Sequence, residues 1–512
     1  MCLTVKASHG IIVTMGNTKR SVTRRRITGI LIGLLALLIC AGAVLIRFGT
    51  QIGIGADISD VSSDLYEEPV IEEPSVTPDE SEINEFSPLE SAAQPLGPAE
   101  VSESIRPTTP VESDQPVESA DSSENVELTG DAEPAQEEVT KSPPQPSEPD
   151  VKDIALSNAE LLKSLDSVAA SYGSVAVGLA AFDGENNFFT YQYGYGDVKA
   201  RRPIDSETKF RVASLSKLTT AICAMALVDA GRLNLDTDIS NYLGYEVKNP
   251  NHPSLPITSR MLLQHTSSIY DSNAFLSSRD ANSSKPTKQL LDTGTSFRKR
   301  EPGTQHEYAN FGYAVLGVLC ETITGKFLDD LAHELIFDPL GIDAAYILEN
   351  LRETVNIAAI YNDNHALTMS VQAQLAVKSY GELGNDHHLA QGNLTISALD
   401  YAKILAMLTN DGVFQGVRIL SKESVAAIHL TDVAAGPYMQ GLMVRHQRNA
   451  FEGNDVYWHT GSNYGTFAQF IYSIETGCGV VVVTTGADPS RESNGMVKVC
   501  SSLSKLVWNK SL

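Results

Sequence analysis

Four serines in this chain stand three residues before a lysine: Ser206, Ser214, Ser296 and Ser502. A serine hydroxyl is a weak nucleophile near pH 7 and needs a base. A lysine amine serves as that base only when burial or a nearby positive field pulls its pKa well below the ordinary value of about 10.4. A helix start supplies such a field. In "FRVASLSKLTTAICAMALVDAGRL" the pattern predicts an apolar helix over about residues 215–230 that stops at Gly231. Ser214 then lies at its first turn, with Lys217 over it on the same face. Ser216, next to Lys217, points about 100° round the helix. A serine at a helix start is most often only an N-cap. Ser502 fits that reading, or a plain surface helix at the C-terminal edge, and Ser206 and Ser296 precede no long apolar helix.

Acyl transfer by a Ser/Lys pair also needs a group that carries the proton to the leaving group, and groups that hold the substrate's carbonyl and carboxylate. Tyr-x-Asn occurs once, at Tyr308-Ala309-Asn310, and Lys/His-Thr-Gly occurs once, at His459-Thr460-Gly461, both after Ser214. "EPGTQHEYANFGYAVLGVLCETITG" places Tyr308 on a turn before an apolar helix, and "VYWHTGSNYGTFAQF" places His459 on a strand able to line a groove. Singly, Tyr308 reads as a core tyrosine and His459 as an ordinary strand residue. Three motifs in order, each in a suitable context, point instead to one site.

The elements that must position them are legible in outline. "DIALSNAELLKSLDSVAASYG" has helical periodicity and ends at Gly173, and "SVAVGLAAFD" and "NNFFTYQYGYGD" read as a hairpin around Gly184-Glu185. A long helix-rich middle follows. "DVYWHTG", "GTFAQFIYSI" and "GCGVVVVTTG" are again strand-like, and "SNGMVKVCSSLSKLVWN" reads as a closing helix. Strands at both ends with helices between predict an α/β (α+β) domain: one sheet assembled from the two termini, with a helical lobe inserted.

On these residues the chain resembles the serine β-lactamase and penicillin-binding-protein superfamily, in the class C-like branch that includes DD-peptidases, D-amino-acid amidases and esterases. The blocks "SETKFRVASLSKLTTAICAMALVDAGRLNLDTDISNYL", "ITSRMLLQHTSSI", "PGTQHEYANFGYAVLGVLCETITGKFLDDLAHELIFDPLGI" and "GNLTISALDYAKILAMLTNDG" carry it across essentially all of residues 155–510. The resemblance implies a β-lactamase/transpeptidase-like fold, a central antiparallel sheet flanked by helices plus an all-helical lobe. It implies that Ser214 forms an acyl-enzyme, that Lys217 helps deprotonate it, and that Tyr308 acts as general base or acid while Asn310 contacts the substrate amide. His459, Thr460 and Gly461 would form the edge that recognises a carboxylate, and the N–H groups of Ser214 and Ser462 would make the oxyanion hole. No cofactor and no metal are implied, and His387-His388 lacks metal-ligand company.

Three departures matter. Tyr-Ala-Asn stands where a class A enzyme has Ser-Asp-Asn. The lysine usual in the third motif is His459, read as a weaker, pH-dependent cation near neutrality, which speaks against efficient β-lactamase action. "HTSSI" also replaces the family's usual His-Thr-Ser-Gly at residues 265–268, with His265 read as structural. The expected substrate is a small molecule or peptide: a cell-wall peptide ending in D-Ala-D-Ala for a DD-carboxypeptidase, with a β-lactam or an ester as alternatives. A penicillin-binding sensor that acylates without turnover is the alternative of another class.

Composition divides the chain into a basic N-terminus (1–26), a candidate transmembrane anchor (27–46), an acidic Pro/Ser/Glu-rich linker expected to be disordered (47–150) and the hydrolase domain (151–512). Residues 1–55 hold seven basic and no acidic side chains, whereas residues 56–150 hold 26 Asp/Glu against Arg106 and Lys141, and 14 of the 23 prolines. The net charge of −25 therefore belongs almost wholly to one segment, and nucleic acid is not an expected partner. The uncharged run 27–46 is long enough to cross a bilayer, and the basic residues before it predict a cytoplasmic N-terminus with the domain outside. A cleaved signal peptide is the alternative, since Ala41-Gly42-Ala43 has the small-x-small form. Cys223 and Cys320 read as core residues, and no disulfides are expected. The oligomeric state is not legible in the sequence.

Overall fold

The stretch "AVGLAAF" becomes strand β1 (Ala176–Phe182), in which every residue is buried. The two-residue period of a strand sends Ala176, Ala180 and Phe182 into one apolar core and Val177, Leu179 and Ala181 into another. A strand buried on both faces requires a layer on each side. In this computed structural model, residues 5–6, 12–13, 159–185, 187–278, 285–377, 382–385 and 388–508 are described. The expected membrane helix at 27–46 and the acidic linker at 47–150 lie outside them. Of two compact units, Met1–Thr129 and Gly130–Leu512, the first contributes one described antiparallel pair, Val5–Lys6 with Ile12–Val13.

In the second unit, β1 is joined by β2 (Phe188–Asp197), β3 (Arg202–Pro203), β4 (Val433–Ala435), β5 (Tyr438–Gln440), β6 (Arg445–Phe451), β7 (Asn454–Asn463), β8 (Thr466–Tyr472) and β9 (Gly479–Thr485). They form a nine-stranded sheet of order β4-β5-β6-β7-β8-β9-β1-β2-β3. Its pairings are antiparallel, and β9 against β1 is where the two ends of the domain meet. The principal helices are α1 (Ala159–Ser171), α2 (Ser216–Asp229), α3 (Asn310–Thr324), α4 (Ala398–Thr409) and α5 (Lys498–Val507). Helices α1 and α5 cover one face of the sheet with Leu165, Ala169, Val499 and Leu503. The inserted segment, with α2, α3 and α4, builds the larger core on the other face.

The expected sheet and lobe are both present. Strands β4 to β6 were not expected: "RHQRNAF" of β6 is largely polar and only partly buried, so it lacks the apolar alternation that marks a strand in a sequence. Cys223 and Cys320 are buried free thiols on facing helices, as core residues would be. Asn393, in a glycosylation-type sequon, is buried and donates to the Tyr346 carbonyl.

Candidate active site

Ser214 sits in a short 3-10 turn, Ala213–Leu215, that runs into α2. The helix proper starts at Ser216, one residue later than the periodicity predicted. Ala213 has φ +48°, a left-handed conformation that a residue with a Cβ rarely adopts. Such a residue costs roughly 1 to 3 kcal/mol and persists only where its surroundings impose it. The turn lifts Ser214 to partial exposure while its neighbours Ala213, Leu215, Ser216 and Lys217 are buried. No side chain caps either the turn or α2, so Ser214 is not the N-cap that its position suggested. Ser216 turns inward, donating to Ala213 O at 2.6 Å and accepting from Leu394 N at 2.9 Å.

Lys217 Nζ lies 3.2 Å from Ser214 Oγ, 2.8 Å from Asn310 Oδ1 and 2.6 Å from Gln391 O. Burial pushes its pKa down to about 7, the positive charge of Arg445 adds to that, and Asp271 opposes it. The neutral amine has two N–H bonds and one lone pair. Asn310 Oδ1 and Gln391 O are acceptors only, so they take both N–H bonds and leave the lone pair facing the Ser214 hydroxyl. The geometry is that of a base poised on a nucleophile.

Tyr308 closes the other side. Its ring lies 4.9 Å from Lys217 Nζ and its centroid 4.4 Å from that of His265. The hydroxyl is buried with no hydrogen bond of normal geometry, yet Ser214 is near enough to stabilise its anion. Burial dominates and holds the phenol well above its ordinary pKa, so near pH 7 Tyr308 carries its proton. Two residues on, Asn310 opens α3. His265, with φ +57°, accepts the Ala309 N–H at Nδ1 (3.2 Å) and is kept neutral by burial. It supports the turn that carries Tyr308.

The third motif lies on β7 against the nucleophile turn. A Cβ added at Gly461 would sit 2.4 Å from Val212 O and 3.2 Å from Ser214 N, so glycine lets the strand press on that turn. Strand β6 pairs with β7 only as far as Trp458, leaving the ladder on that edge open from His459 onward. Gly461→Ala must push the strand away. We expect it to lower Ser214 acylation by about 10²-fold, measured with a fluorescent penicillin, while leaving the circular dichroism spectrum that of the native fold.

The expectation that His459 is a weak cation is corrected by the structure. His459 is buried, with Nδ1 2.8 Å from Thr460 O. Burial first, then the charges of Arg445 and Lys217, hold its pKa well below the ordinary histidine value, so it is neutral near pH 7. The positive charge comes from a residue that no motif flagged. Arg445 on β6 stacks over Tyr438 at 4.7 Å and Trp458 at 5.0 Å, and lies 5.9 Å from the Tyr308 ring. Its Nε is buried with no hydrogen-bond partner among the described residues, and its charge depresses the pKa values of Lys217, His265, His306 and His459.

The other Ser-x-x-Lys copies go elsewhere. Lys209 pairs with Asp343, Ser296 bonds Ser272, and Ser502 bonds Tyr172 on the far face of the sheet. Among the described residues no cluster of ligands could hold a metal ion.

Against this geometry, the comparisons with known proteins are consistent. The β-lactamase family model matches residues 161–498. "Penicillin-binding protein 4" of Amycolatopsis lactamdurans is 28% identical over 298 residues, covering 54% of this chain and 72% of that protein. "Protein flp" of Staphylococcus aureus (strain N315) is 32% identical over a shorter stretch, 27% of this chain and 28% of that protein. A class C β-lactamase structure shares the fold with a TM-score of 0.55 at 16% identity, over 70% of this chain and 98% of that one. A nucleophile turn, a lysine base and a Tyr-x-Asn turn meet under the edge of one antiparallel sheet, in a chain that matches over most of its folded length: this protein belongs to the β-lactamase family, within the serine β-lactamase and penicillin-binding-protein superfamily.

Proposed function

We propose that the protein is a membrane-anchored, extracytoplasmic serine hydrolase of the DD-carboxypeptidase type, acting on cell-wall peptides through an acyl-enzyme on Ser214. Lys217 takes the Ser214 proton as Oγ attacks the substrate carbonyl, and the N–H groups of Ser214 and Ser462 hold the resulting oxyanion. The proton passes through the neutral Tyr308 hydroxyl to the leaving amine as the C–N bond breaks, and water then hydrolyses the ester. Asn310 and the open edge of β7 align the peptide. The anchor reading rests on the uncharged run 27–46 behind its basic flank.

The observation that carries the choice of substrate is Arg445. A cation beside the Tyr308 turn, stacked on two aromatic rings and without a carboxylate in an ion pair among the described residues, suits a substrate that ends in a carboxylate. A D-Ala-D-Ala peptide does. The Thr460 hydroxyl, next to His459, accepts from Arg491 Nη1 at 3.4 Å, which leaves its own O–H to donate to the same group. The relative named as a penicillin-binding protein supports this reading.

The test uses purified full-length protein and two substrates: a peptide ending in D-Ala-D-Ala and an activated ester without a carboxylate. At pH 9, above the value of about 7 to which Lys217 is pushed, Arg445→Gln is expected to raise KM for the peptide by about 30-fold or more, since truncating one partner of a buried charge pair costs about 2 to 5 kcal/mol. Ester turnover should change little. Rapid release of a bound fluorescent penicillin with no peptide cleavage would instead make the protein a β-lactamase. Ester cleavage without a penicillin adduct would make it an esterase, and a durable adduct without peptide turnover a sensor.

A further inference from the structure

We propose that Asp271 is a positioning residue for acylation: it fixes the Asn310 amide with its carbonyl oxygen toward Lys217, and so keeps the lone pair of Lys217 on Ser214. The inference rests on the Ser214 acyl-enzyme reading and assigns a role to a loop residue that lies in none of the three motifs.

The geometry is a chain of three polar contacts. Asp271 follows the Gln264–Tyr270 stretch, whose backbone is pinned by Tyr270 N–H donating to Ser296 O. Its Oδ1 accepts Phe311 N–H at 2.8 Å and its Oδ2 accepts Asn310 Nδ2 at 2.7 Å. Asn310 Oδ1 in turn accepts from Lys217 at 2.8 Å. The residue in the N-cap position of α3, Ala309, has no side chain able to cap, so the Asp271 carboxylate does that from a distance, where an anion is favoured.

A side-chain amide has two ends of nearly equal shape and opposite polarity. A carboxylate is an acceptor only, so Asp271 admits only the NH2 end of Asn310 and turns the oxygen to Lys217. With the amide reversed, Asn310 would donate an N–H to the Lys217 lone pair, the same pair that must receive the Ser214 proton. Asp271 thereby decides which of two isosteric states Asn310 takes, and only one leaves Lys217 free to act as a base.

The charge of Asp271 also counts. Lys217 is faced by the Tyr308 and Tyr313 rings at 4.9 and 5.7 Å, by the neutral imidazoles of His265 and His459, by Arg445 from β6 and by Asp271 from the loop. Asp271 is the anion in that set, and it opposes the depression of the lysine pKa by burial and Arg445.

The test is Asp271→Asn in the full-length protein, with Ser214 acylation by fluorescent penicillin and by an activated ester followed from pH 5 to pH 10. The new side chain keeps an oxygen for the Phe311 N–H but turns an N–H toward Asn310. The plateau rate should fall by at least about tenfold, because a positioned proton acceptor contributes about 10²- to 10⁴-fold. The acid limb should move to lower pH, since the anion that held Lys217 protonated is gone. In the Asn310→Ala background Asp271→Asn should cost no more than about twofold, as expected for two residues acting through one contact. If Asp271→Asn lowers the melting temperature enough to compromise the assay, Asp271→Ser, which retains a hydroxyl acceptor for the cap, repeats the cycle. An unchanged rate and pH profile, or full additivity with Asn310→Ala, overturns the proposal while leaving Ser214 as nucleophile. Absence of Ser214-dependent acylation in the unmodified protein overturns the parent reading and this one together.

Discussion

Ser214→Ala is expected to abolish covalent labelling by a fluorescent penicillin and to lower hydrolysis by about 10⁴-fold or more, the scale on which hydrolases lose rate when the nucleophile is removed. Ser502→Ala changes the same tetrapeptide, SLSK, and should leave labelling at the unmodified level. The structure supplies the reason for the contrast. Ser214 stands on a turn held in a strained backbone conformation, with Lys217 Nζ 3.2 Å from its Oγ. Ser502 lies on α5 on the opposite face of the sheet, bonded to Tyr172, while Lys505 reaches Glu492 at 3.7 Å. Labelling that persists in Ser214→Ala, read by mass spectrometry of the modified peptide, would place the nucleophile elsewhere.

Acylation should rise with pH through a midpoint near 7, the pKa to which Lys217 is pushed. The sign follows from the chemistry. Burial destabilises the ammonium, so the lysine loses its proton near neutrality, and only the neutral amine can receive the Ser214 proton. Below the midpoint the rate falls tenfold per pH unit, and above it reaches a plateau. Tyr308 does not impose an alkaline limb near neutrality, because its pKa is raised by burial. His459 and His265 add no limb there either, since both are held well below the ordinary histidine value. Lys217→Met, which keeps the stem and removes the amine, should cost about 10²- to 10⁴-fold in the plateau rate, the contribution of a positioned base. It should also erase the midpoint near 7. Pre-steady-state acylation rates between pH 5 and pH 9 measure both effects. An unchanged profile in Lys217→Met would remove lysine from the base role.

The motif residues that resembled a known family are the ones the fold assembles. Ser214, Lys217, Tyr308, Asn310 and the His459-Thr460-Gly461 run are spread over some 250 residues and meet in one place. Their legibility has a physical origin: each motif is local, three or four residues at a fixed spacing on a helix start or a strand, and local geometry depends on local sequence. The first strand of the hairpin around Gly184-Glu185 and the strand "GVVVVTT" were legible for a related reason, because a strand buried on both faces writes itself as a continuous apolar run.

Arg445 and Asp271 were not legible. Arg445 lies on a strand whose polar residues carry no apolar alternation, and Asp271 lies in a loop. Each acquires meaning only from a partner far off in sequence: Tyr308 for Arg445, Asn310 for Asp271. Protonation states were hidden in the same way. His459 looks like a titrating cation in a list of residues, and becomes a neutral group once its burial and the nearby Arg445 are known. The sequence by itself therefore determined the chemistry available to this protein, a serine, a lysine, a tyrosine and a groove-lining strand in a fixed order. The tertiary structure alone decided which serine stands on the strained turn, which groups hold charge and which way the Asn310 amide faces. Those depend on desolvation, on the field of distant charges and on contacts between residues that no local pattern connects.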